Sequence, residues 1–373
     1  MTRERLPFLE PDLPPAEILA ADFAEIVRSG RVSNGGPFED RLALGICRRL
    51  EVAHCVPVAN ATLGLMLLAR ALALPGRRFA LLPSFTFPAT ALAMEWAGLE
   101  PILCDIDADS WQPAIPRSPS PEIVRDLALV VLCNTFGAPA DIEAWKSACT
   151  AWDVPLIVDS AAGLGGAYHD GRPLGAAGVA EVFSMHATKS FGVGEGGLVV
   201  TDDDDLAARL RTLRNFGLDA DGVCVEAGLN AKLSELHAAV ACRVLERFDD
   251  ALDHRRRLAE HYRLELEPLG LRFQPGASLS PAQAVPASLP AHVDRDEWMR
   301  AMDARGVETR RYFSPALHEA GRFAACRRTG ALDVTSRVAA SIVSLPMSAR
   351  LDETDTARIC AHVAGALAEA GGR

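Results

Sequence analysis

Short apolar runs alternate along much of the chain with longer segments in which apolar residues recur at helical spacing. Five of the short runs have the length and composition of strands, and they span residues 54–59, 79–82, 127–133, 155–159 and 197–201. Helices are predicted at residues 63–74, 90–97, 142–152 and 206–213. This alternation predicts an α/β fold in which a mostly parallel sheet is sandwiched by helices.

The pattern changes after Ser234. We predict one long helix over residues 234–266, then a proline-rich stretch, a shorter α+β segment and a final helix over residues 353–370. We therefore expect residues 1–245 to form a large α/β domain with an N-terminal segment, and residues 246–373 to form a smaller C-terminal α+β domain. The long helix would be the hinge between them.

Composition narrows the possible functions. A net charge of −11 argues against a nucleic-acid surface, because neutralising phosphates requires an excess of clustered Lys and Arg. The one basic run, residues 255–257, is interpreted as a solvated helix face. No apolar stretch approaches the ~20 residues that span a bilayer, and no apolar segment follows the charged start, so we expect a cytoplasmic protein that does not cross a membrane.

The nine cysteines are scattered without a C-x-x-C pair, and several lie inside apolar runs. We expect buried free thiols, with neither a disulfide framework nor a zinc site, and we predict no metal.

Lysine is rare in this chain: only Lys146, Lys189 and Lys232 occur among 38 basic residues. Because the chain uses arginine at almost every basic position, each lysine is a candidate for a role that a guanidinium cannot fill. An amine can lose its proton and form an imine, whereas a guanidinium stays protonated. Lys146 falls in a predicted helix, where a solvated lysine is ordinary.

Lys189 and Asp159 are both expected at the carboxyl edge of the sheet. Lys189 follows a candidate strand and precedes a glycine-rich segment, and Asp159 ends the apolar run at 155–159. Strand ends are where open α/β sheets place their sites. An amine and a carboxylate in one crevice suit pyridoxal phosphate, which needs a lysine for its aldehyde and an acid that keeps its pyridine nitrogen protonated. The alternative is a surface lysine and a helix-capping aspartate.

Two other patterns, a glycine-rich segment and an acidic run, resemble ligand sites but are interpreted as structural features. Gly192, Gly194 and Gly197 match the dinucleotide-binding spacing, but a strand follows them where that fingerprint requires a helix. The acidic run at residues 202–205 is expected to cap the next helix and place negative charge in its first turn.

In these residues and in further motifs, the chain resembles the DegT/DnrJ/StrS-type family of pyridoxal-phosphate-dependent nucleotide-sugar aminotransferases, which have fold type I. The likeness runs nearly end to end. It is carried by ordered motifs at residues 33–39, 60–64, 83–90, 105–107, 136–141, 194–197, 228–235, 310–315 and 344–346, and by the segments around Asp159 and Lys189.

The resemblance implies roles for the cofactor-binding residues. Lys189 would bind the cofactor covalently and shuttle a proton, and Asp159 would hold the ring nitrogen. Phe87 would stack on the ring, although a core role is the alternative. The phosphate would be bound by residues at the start of a helix and beside the lysine, namely by the backbone amides of Ala61 and Thr62 and by the hydroxyl of Ser184.

The resemblance also implies a homodimer with shared active sites. Asn230 and Lys232 lie in the segment that, in the family, reaches the neighbouring subunit's phosphate. For Lys232 the alternative is an ordinary residue at the start of a helix.

Two positions distinguish this chain within the family pattern. The family generally has Gln three residues after the aspartate, where this chain has Ala162, so the bond to the cofactor's phenolic oxygen is absent or comes from another group. Members that dehydrate sugars replace the cofactor lysine with His, whereas Lys189 is retained, which disfavours dehydration.

We therefore expect an aminotransferase that moves an amino group from L-glutamate to the keto group of a nucleotide-linked sugar by a ping-pong Schiff-base mechanism. Substrate contacts are expected from five residues, each of which could instead serve the core or the surface: Asn34, His186, Glu195, Arg310 and Tyr312. The alternatives are an enzyme of the same cofactor class acting on a non-sugar ketone in secondary metabolism, a catalytically silent member, and, most weakly supported, a nicotinamide dehydrogenase.

Overall fold

The computed structural model describes residues 5–117 and 119–370. The helices in these residues are α1 (Ala16–Ser29), α2 (Pro37–Leu50), α3 (Ala61–Leu72), α4 (Pro88–Trp96), α5 (Pro121–Asp126), α6 (Ile142–Trp152), α7 (Asp204–Leu213), α8 (Glu235–Leu245), α9 (Phe248–Leu266), α10 (Arg295–Ala304), α11 (Asp333–Ser341) and α12 (Glu353–Ala370). The strands are β1 (His54–Val58), β2 (Phe79–Pro83), β3 (Glu100–Cys104), β4 (Leu127–Cys133), β5 (Leu156–Asp159), β6 (Ala180–Ser184), β7 (Gly197–Thr201), β8 (Arg272–Phe273), β9 (Val285–Ser288), β10 (Arg327–Arg328) and β11 (Ile342–Leu345).

The main sheet has eight strands in the order β1-β7-β6-β5-β4-β2-β3-β10. The six strands β6, β5, β4, β2, β3 and β10 run parallel to one another, and the two pairs that β7 makes, with β1 and with β6, are antiparallel. The predicted mostly parallel sheet is therefore confirmed. The five predicted strands all occur, with bounds that differ by at most one residue, whereas β3 and β10 were not predicted.

Alternate residues of each central strand face two different apolar clusters. Val158 and Phe183 belong to a cluster with residues of α2, α6 and α8, whereas Ile157 and Val182 pack with residues of α3, α4 and α7. Burial on both faces explains why β4 is an uninterrupted apolar run of seven buried residues. The sheet is thus sandwiched by helices, as expected.

The acidic run before α7 behaves as predicted. Asp203 is the N-cap, and its side chain accepts a hydrogen bond of 2.9 Å from the Leu206 amide. Asp204 and Asp205 lie in the first turn, where the helix dipole favours negative charge.

The prediction of one long helix over residues 234–266 is wrong. The segment forms α8 and α9, which are separated at Glu246 and Arg247. The two helices pack against different partners, α8 against α2 and α9 against α12, and the break turns the Phe248 ring against Phe191 at 4.9 Å. No Pro or Gly marks the break in the sequence, so helical periodicity alone did not reveal it.

The expectation that residues 255–257 form a solvated face is also wrong in part. Arg257 is exposed, but Arg255 is buried, and its guanidinium donates to the Ala282 carbonyl at 3.4 Å. Arginine can occupy such a position because its aliphatic stem packs along apolar neighbours.

The C-terminal residues build a second sheet of three antiparallel strands in the order β11-β9-β8. An apolar cluster around Tyr262, Trp298 and Ile359 connects this sheet to α9, α10 and α12. β10 also lies in the C-terminal part but pairs with β3 of the main sheet. The domain boundary at residue 245 stays a prediction.

All nine cysteines are free, but they are not all buried as expected, because Cys224 is exposed. Among the residues that the structure describes, no helix is long and apolar enough to cross a membrane.

Candidate active site

The ends of four strands meet at one edge of the main sheet. β1, β5 and β6 end there and β7 begins there, since Gly197 pairs with both Val58 and Ser184, and Asp159 pairs with Val182. Side chains alternate along a strand, so Asp159 and Ser184 lie on the same face as Ile157 and Val182, the face on which α3 packs. The topology thus brings Asp159, Ser184 and the start of α3 together.

The start of α3 is a ready anion-binding position. Asn60 caps the helix, and its Oδ1 accepts from the Leu63 amide at 2.9 Å. The Ala61 and Thr62 amides lie in the first turn, where N–H groups have no intrahelical partner and the dipole favours negative charge. Gly197 permits the strand to approach, because a Cβ at this position would lie 2.7 Å from the Ala61 nitrogen.

Asp159 is buried, with 8% of its surface exposed. Its Oδ2 accepts a hydrogen bond of 2.8 Å from the Thr90 hydroxyl, and its Oδ1 accepts one of 3.1 Å from the Ala161 amide. Burial raises the pKa of Asp159, while the two hydrogen bonds and the nearby Lys189 amine oppose that rise. The carboxylate is therefore fixed in direction and suited to a cationic partner.

Lys189 lies in a tight turn after β6. Its amide donates to the His186 carbonyl at 2.8 Å, and the turn passes so close to itself that a Cβ on Gly192 would lie 2.8 Å from the Ala187 oxygen. Burial lowers the pKa of the Lys189 amine, and the negative charge of Asp159 partly opposes that effect. A lowered pKa favours the neutral amine, which is the nucleophilic form.

Phe87 is the residue just before α4, and Pro88 occupies the first turn of that helix. Phe87 is 57% exposed, whereas Phe85 two residues earlier is fully buried in an aromatic cluster with Phe136 and Phe313. The exposed position disfavours the core interpretation and leaves a ring face available for stacking.

The candidate substrate residues fall into separate groups. His186 and Glu195 face each other across the lysine turn, with 3.6 Å between Nε2 and Oε1. Asn34 is exposed and has a left-handed backbone (φ 66°), in a loop whose Val32 carbonyl accepts from the Glu235 amide at 3.1 Å.

Arg310 and Tyr312 lie together in the C-terminal part of the chain. Both flank the Phe8 ring: the Arg310 guanidinium lies 5.5 Å above it, and the Tyr312 ring meets its edge at 6.0 Å. Arg310 also forms an ion pair with Glu308, and its backbone pairs with Ser344 of β11. The structure describes no direct contact between this pair and His186 or Glu195.

Comparison with known proteins decides the family. Residues 16–364 match the DegT/DnrJ/EryC1/StrS aminotransferase family. The chain belongs to this family. Protein Rv3402c of Mycobacterium tuberculosis is 35% identical over 371 residues, which cover 97% of this chain and 90% of that protein.

Solved structures agree with this assignment. DesI, whose structure was determined in the presence of its TDP-sugar product, has a TM-score of 0.91 and 34% identity, covering 100% of this chain and 95% of DesI. A protein from Bacillus cereus assigned as a PLP-dependent aminotransferase has a TM-score of 0.89 and 30% identity, covering 96% of this chain and 100% of that one. The expected family, fold type I and aminotransferase class are confirmed.

In this aminotransferase the segment with Asn230 and Lys232 runs beside the end of β1, where the Ala59 amide donates to the Ala231 carbonyl at 2.8 Å. The Lys232 amine donates to Asn215 Oδ1 at 3.0 Å and lies 4.4 Å from the centre of the Phe216 ring. Asn230 is exposed. The expected contact of both residues with a neighbouring subunit stays a prediction.

Sequence reasoning missed two features of the aminotransferase site. Thr90 holds Asp159 directly, and its hydroxyl lies 2.9 Å from that of Thr86. Both threonines fall in the motif at residues 83–90, but their spacing alone did not indicate which acid they would meet. The second missed feature is the carboxyl of Glu181, which is buried on β6, the strand next to the one that ends in Asp159. An acid inside an otherwise apolar strand was its signal.

Among the described residues, no group of three or more His, Cys, Asp or Glu is placed to hold a metal ion.

Proposed function

We propose that this aminotransferase uses pyridoxal phosphate held by Lys189 to transfer an amino group from L-glutamate to the keto group of a nucleotide-linked sugar. The observation that carries the proposal is the proximity of Lys189 and Asp159 at one sheet edge, where burial lowers the pKa of the amine and raises that of the acid while the two charges interact. The sugar substrate is supported by the likeness to DesI, which was solved with a TDP-sugar product.

The residues at the edge fit the cofactor. Asp159 would hold the protonated ring nitrogen, and that cation would compensate the burial of its carboxylate. The exposed Phe87 ring would stack on the cofactor. The amides of Ala61 and Thr62, together with the Ser184 hydroxyl, would bind the phosphate. When bound, pyridoxal phosphate supplies an electron sink for the carbon that exchanges its amino group.

The chain's own acid–base chemistry then rests on Lys189. Burial lowers the pKa of its amine, so the neutral form that would hold the cofactor's aldehyde is favoured, and the same amine would move a proton at the substrate carbon. The hydrogen bonds from the Thr90 hydroxyl and the Ala161 amide favour the ionised form of Asp159, the form that the ring nitrogen requires, and so oppose the rise in its pKa that burial causes.

The remaining assignments follow from the family pattern. His186 and Glu195 are proposed to contact the reacting sugar because they flank the lysine turn. Asn34, Arg310 and Tyr312 are proposed as further substrate contacts. Asn230 and Lys232 are proposed to complete the partner's phosphate site in a homodimer, and a cytoplasmic location stays a prediction.

One observation favours a second function. Ala162 stands where the family has the glutamine that bonds the cofactor's phenolic oxygen, so an enzyme of the same cofactor class acting on a non-sugar ketone is the alternative. A panel of TDP-linked keto sugars and simple keto acids, each offered with L-glutamate, separates the two. Turnover confined to the keto acids would replace the sugar assignment.

The cofactor assignment is tested by absorbance. Wild-type protein reconstituted with pyridoxal phosphate should show the visible band of a lysine-bound cofactor, and L-glutamate should convert it to the pyridoxamine form. Lys189→Ala should lack the band, whereas Lys146→Ala should keep it, because Lys146 lies on α6 and pairs with Glu143 at 3.3 Å. A band retained in Lys189→Ala would refute the assignment. A wild-type band that glutamate does not change would refute the donor alone.

A further inference from the structure

Glu181 is an ionisable side chain that the proposed chemistry does not use. It is fully buried on β6, one strand away from Asp159, and pairs in register with Val158. Because side chains alternate, it lies on the opposite face of the sheet from Ser184. A carboxyl in an apolar interior destabilises the fold unless its oxygens are satisfied.

Both oxygens of Glu181 are satisfied. One oxygen, Oε1, accepts a short hydrogen bond from the Ser160 hydroxyl and a longer one of 3.4 Å from the Asn134 amide group. The other oxygen, Oε2, accepts from the Tyr168 hydroxyl at 3.0 Å and from the Gly175 amide at 2.7 Å. The carboxylate of Glu181 therefore connects the residues that follow β4 and β5 to the turn at residues 168–175.

The Oε1 side of this network includes the immediate neighbours of Asp159. Ser160 is the next residue, and the Asn134 side chain donates to the Ser160 hydroxyl at 2.7 Å. The Asn134 backbone amide in turn donates to the Asp159 carbonyl at 3.0 Å. Glu181 thus contacts both Ser160 and Asn134, which hold the Asp159 peptide, whereas its Oε2 accepts from the turn at residues 168–175.

Burial raises the pKa of Glu181 to about 7, because desolvation outweighs the hydrogen bonds that it accepts. The position is thus an unfavourable one for a carboxyl, and its hydrogen-bond network is the compensation that the structure offers.

We infer that Glu181 is a positioning residue for the cofactor: through Ser160 and Asn134 it sets the direction in which Asp159 presents its carboxylate to the pyridine nitrogen. This inference rests on the proposed cofactor function. It assigns the Oε1 contacts to the site and the Oε2 contacts to the fold.

The two sides of the network give matched variants. Ser160→Ala removes the shorter of the two links from Glu181 to the Asp159 segment and leaves the longer one through Asn134. Glu181→Gln replaces one accepting oxygen with a donor. Tyr168→Phe is the control, because it removes the hydroxyl that donates to the other oxygen of the same carboxyl and leaves the Ser160 hydrogen bond in place. Each protein is assayed for pyridoxal-phosphate affinity, for the pH dependence of the lysine-bound absorbance band, and for thermal unfolding.

We expect Glu181→Gln and Ser160→Ala each to weaken cofactor binding by about 2- to 10-fold, the range for loss of one hydrogen bond. Both should shift the pH midpoint of the band in the same direction, and the double variant should shift it no further than the single variants. Tyr168→Phe should lower the unfolding temperature while leaving the midpoint and the affinity unchanged.

The outcomes separate the two proposals. No band in the wild type would refute the cofactor function itself. A wild-type band whose midpoint and affinity are unchanged in folded Ser160→Ala would refute the role of Glu181 alone, and so would equal shifts in all three variants. If Glu181→Gln does not fold, the comparison of Ser160→Ala with Tyr168→Phe decides.

Discussion

Thr90→Val tests the hydrogen bond that holds the proposed ring-nitrogen partner. The Thr90 hydroxyl donates to Asp159 Oδ2 at 2.8 Å, and Thr90 is only 1% exposed. Valine has nearly the same shape, so the substitution removes the donor with little change in packing. It also leaves the Thr86 hydroxyl without its neighbour at 2.9 Å.

The expected magnitude follows from the charge on the acceptor. A hydrogen bond to an ionised group contributes about 1.5–3 kcal/mol, and a buried oxygen without its donor loses stabilisation of that order. Since burial already raises the pKa of Asp159, losing the Thr90 bond should raise it further. The ionised carboxylate that pairs with the ring nitrogen becomes less stable, so pyridoxal phosphate should bind about 10- to 100-fold more weakly.

The assay is equilibrium binding of pyridoxal phosphate at two pH values, with Thr90→Ser as the variant that keeps the hydroxyl. The deficit of Thr90→Val should grow as the pH falls, because a carboxyl with a raised pKa takes up its proton earlier on acidification. Wild-type affinity at both pH values in a folded Thr90→Val protein would refute the reasoning. An equal loss in Thr90→Ser would show that shape, not the hydroxyl, matters.

Three further substitutions are informative. Gly197→Ala should weaken the binding of pyridoxal phosphate, measured by equilibrium dialysis, because the added Cβ would lie 2.7 Å from the Ala61 nitrogen at the proposed phosphate site. Calorimetry should show that the protein still folds, and unchanged affinity in the folded variant would contradict this. Arg214→Met should cost about 3–5 kcal/mol in urea unfolding, since it leaves the buried Glu39 carboxylate without the guanidinium 2.6 Å away; a cost near zero would contradict this. Glu181→Gln should remove a pH slope: with a folded-state pKa of about 7 against an ordinary 4.5, wild-type stability should fall by up to about 3 kcal/mol as the pH rises through that window. Equal slopes in the two proteins would show that the carboxyl does not titrate as described.

The elements that were predicted correctly are those whose apolar and polar pattern is complete within a short window of sequence. β4 and α6 have the predicted bounds because an uninterrupted apolar run and a capped amphipathic segment are visible within a short window. Asp159 and Lys189 were expected at one edge for the same reason, because Asp159 ends one strand, Lys189 follows another, and parallel strands end on the same side.

The parts that were missed depend on contacts between distant segments. Thr90 and Asp159 are 69 residues apart, and nothing in either segment indicates the other. The break between α8 and α9 follows from packing on two different helices. Arg255 is buried by neighbours that include Ala282, which no helical pattern could supply.

Ala162, which replaces the glutamine of the family, lies in a turn whose shape does not depend on its side chain. The turn that carries it is fixed by its backbone and by buried groups: the Gly163 amide donates to the Ser160 carbonyl at 2.7 Å, and a Cβ on Gly137 would lie 2.3 Å from the Ala162 oxygen. Glu181 also holds this turn, because its carboxyl accepts a hydrogen bond from the Ser160 hydroxyl. The side chain at position 162 is therefore not needed to shape the turn, so its replacement alters the group offered to a ligand while leaving Asp159 in place. For this reason the cofactor proposal and the substrate proposal can fail independently.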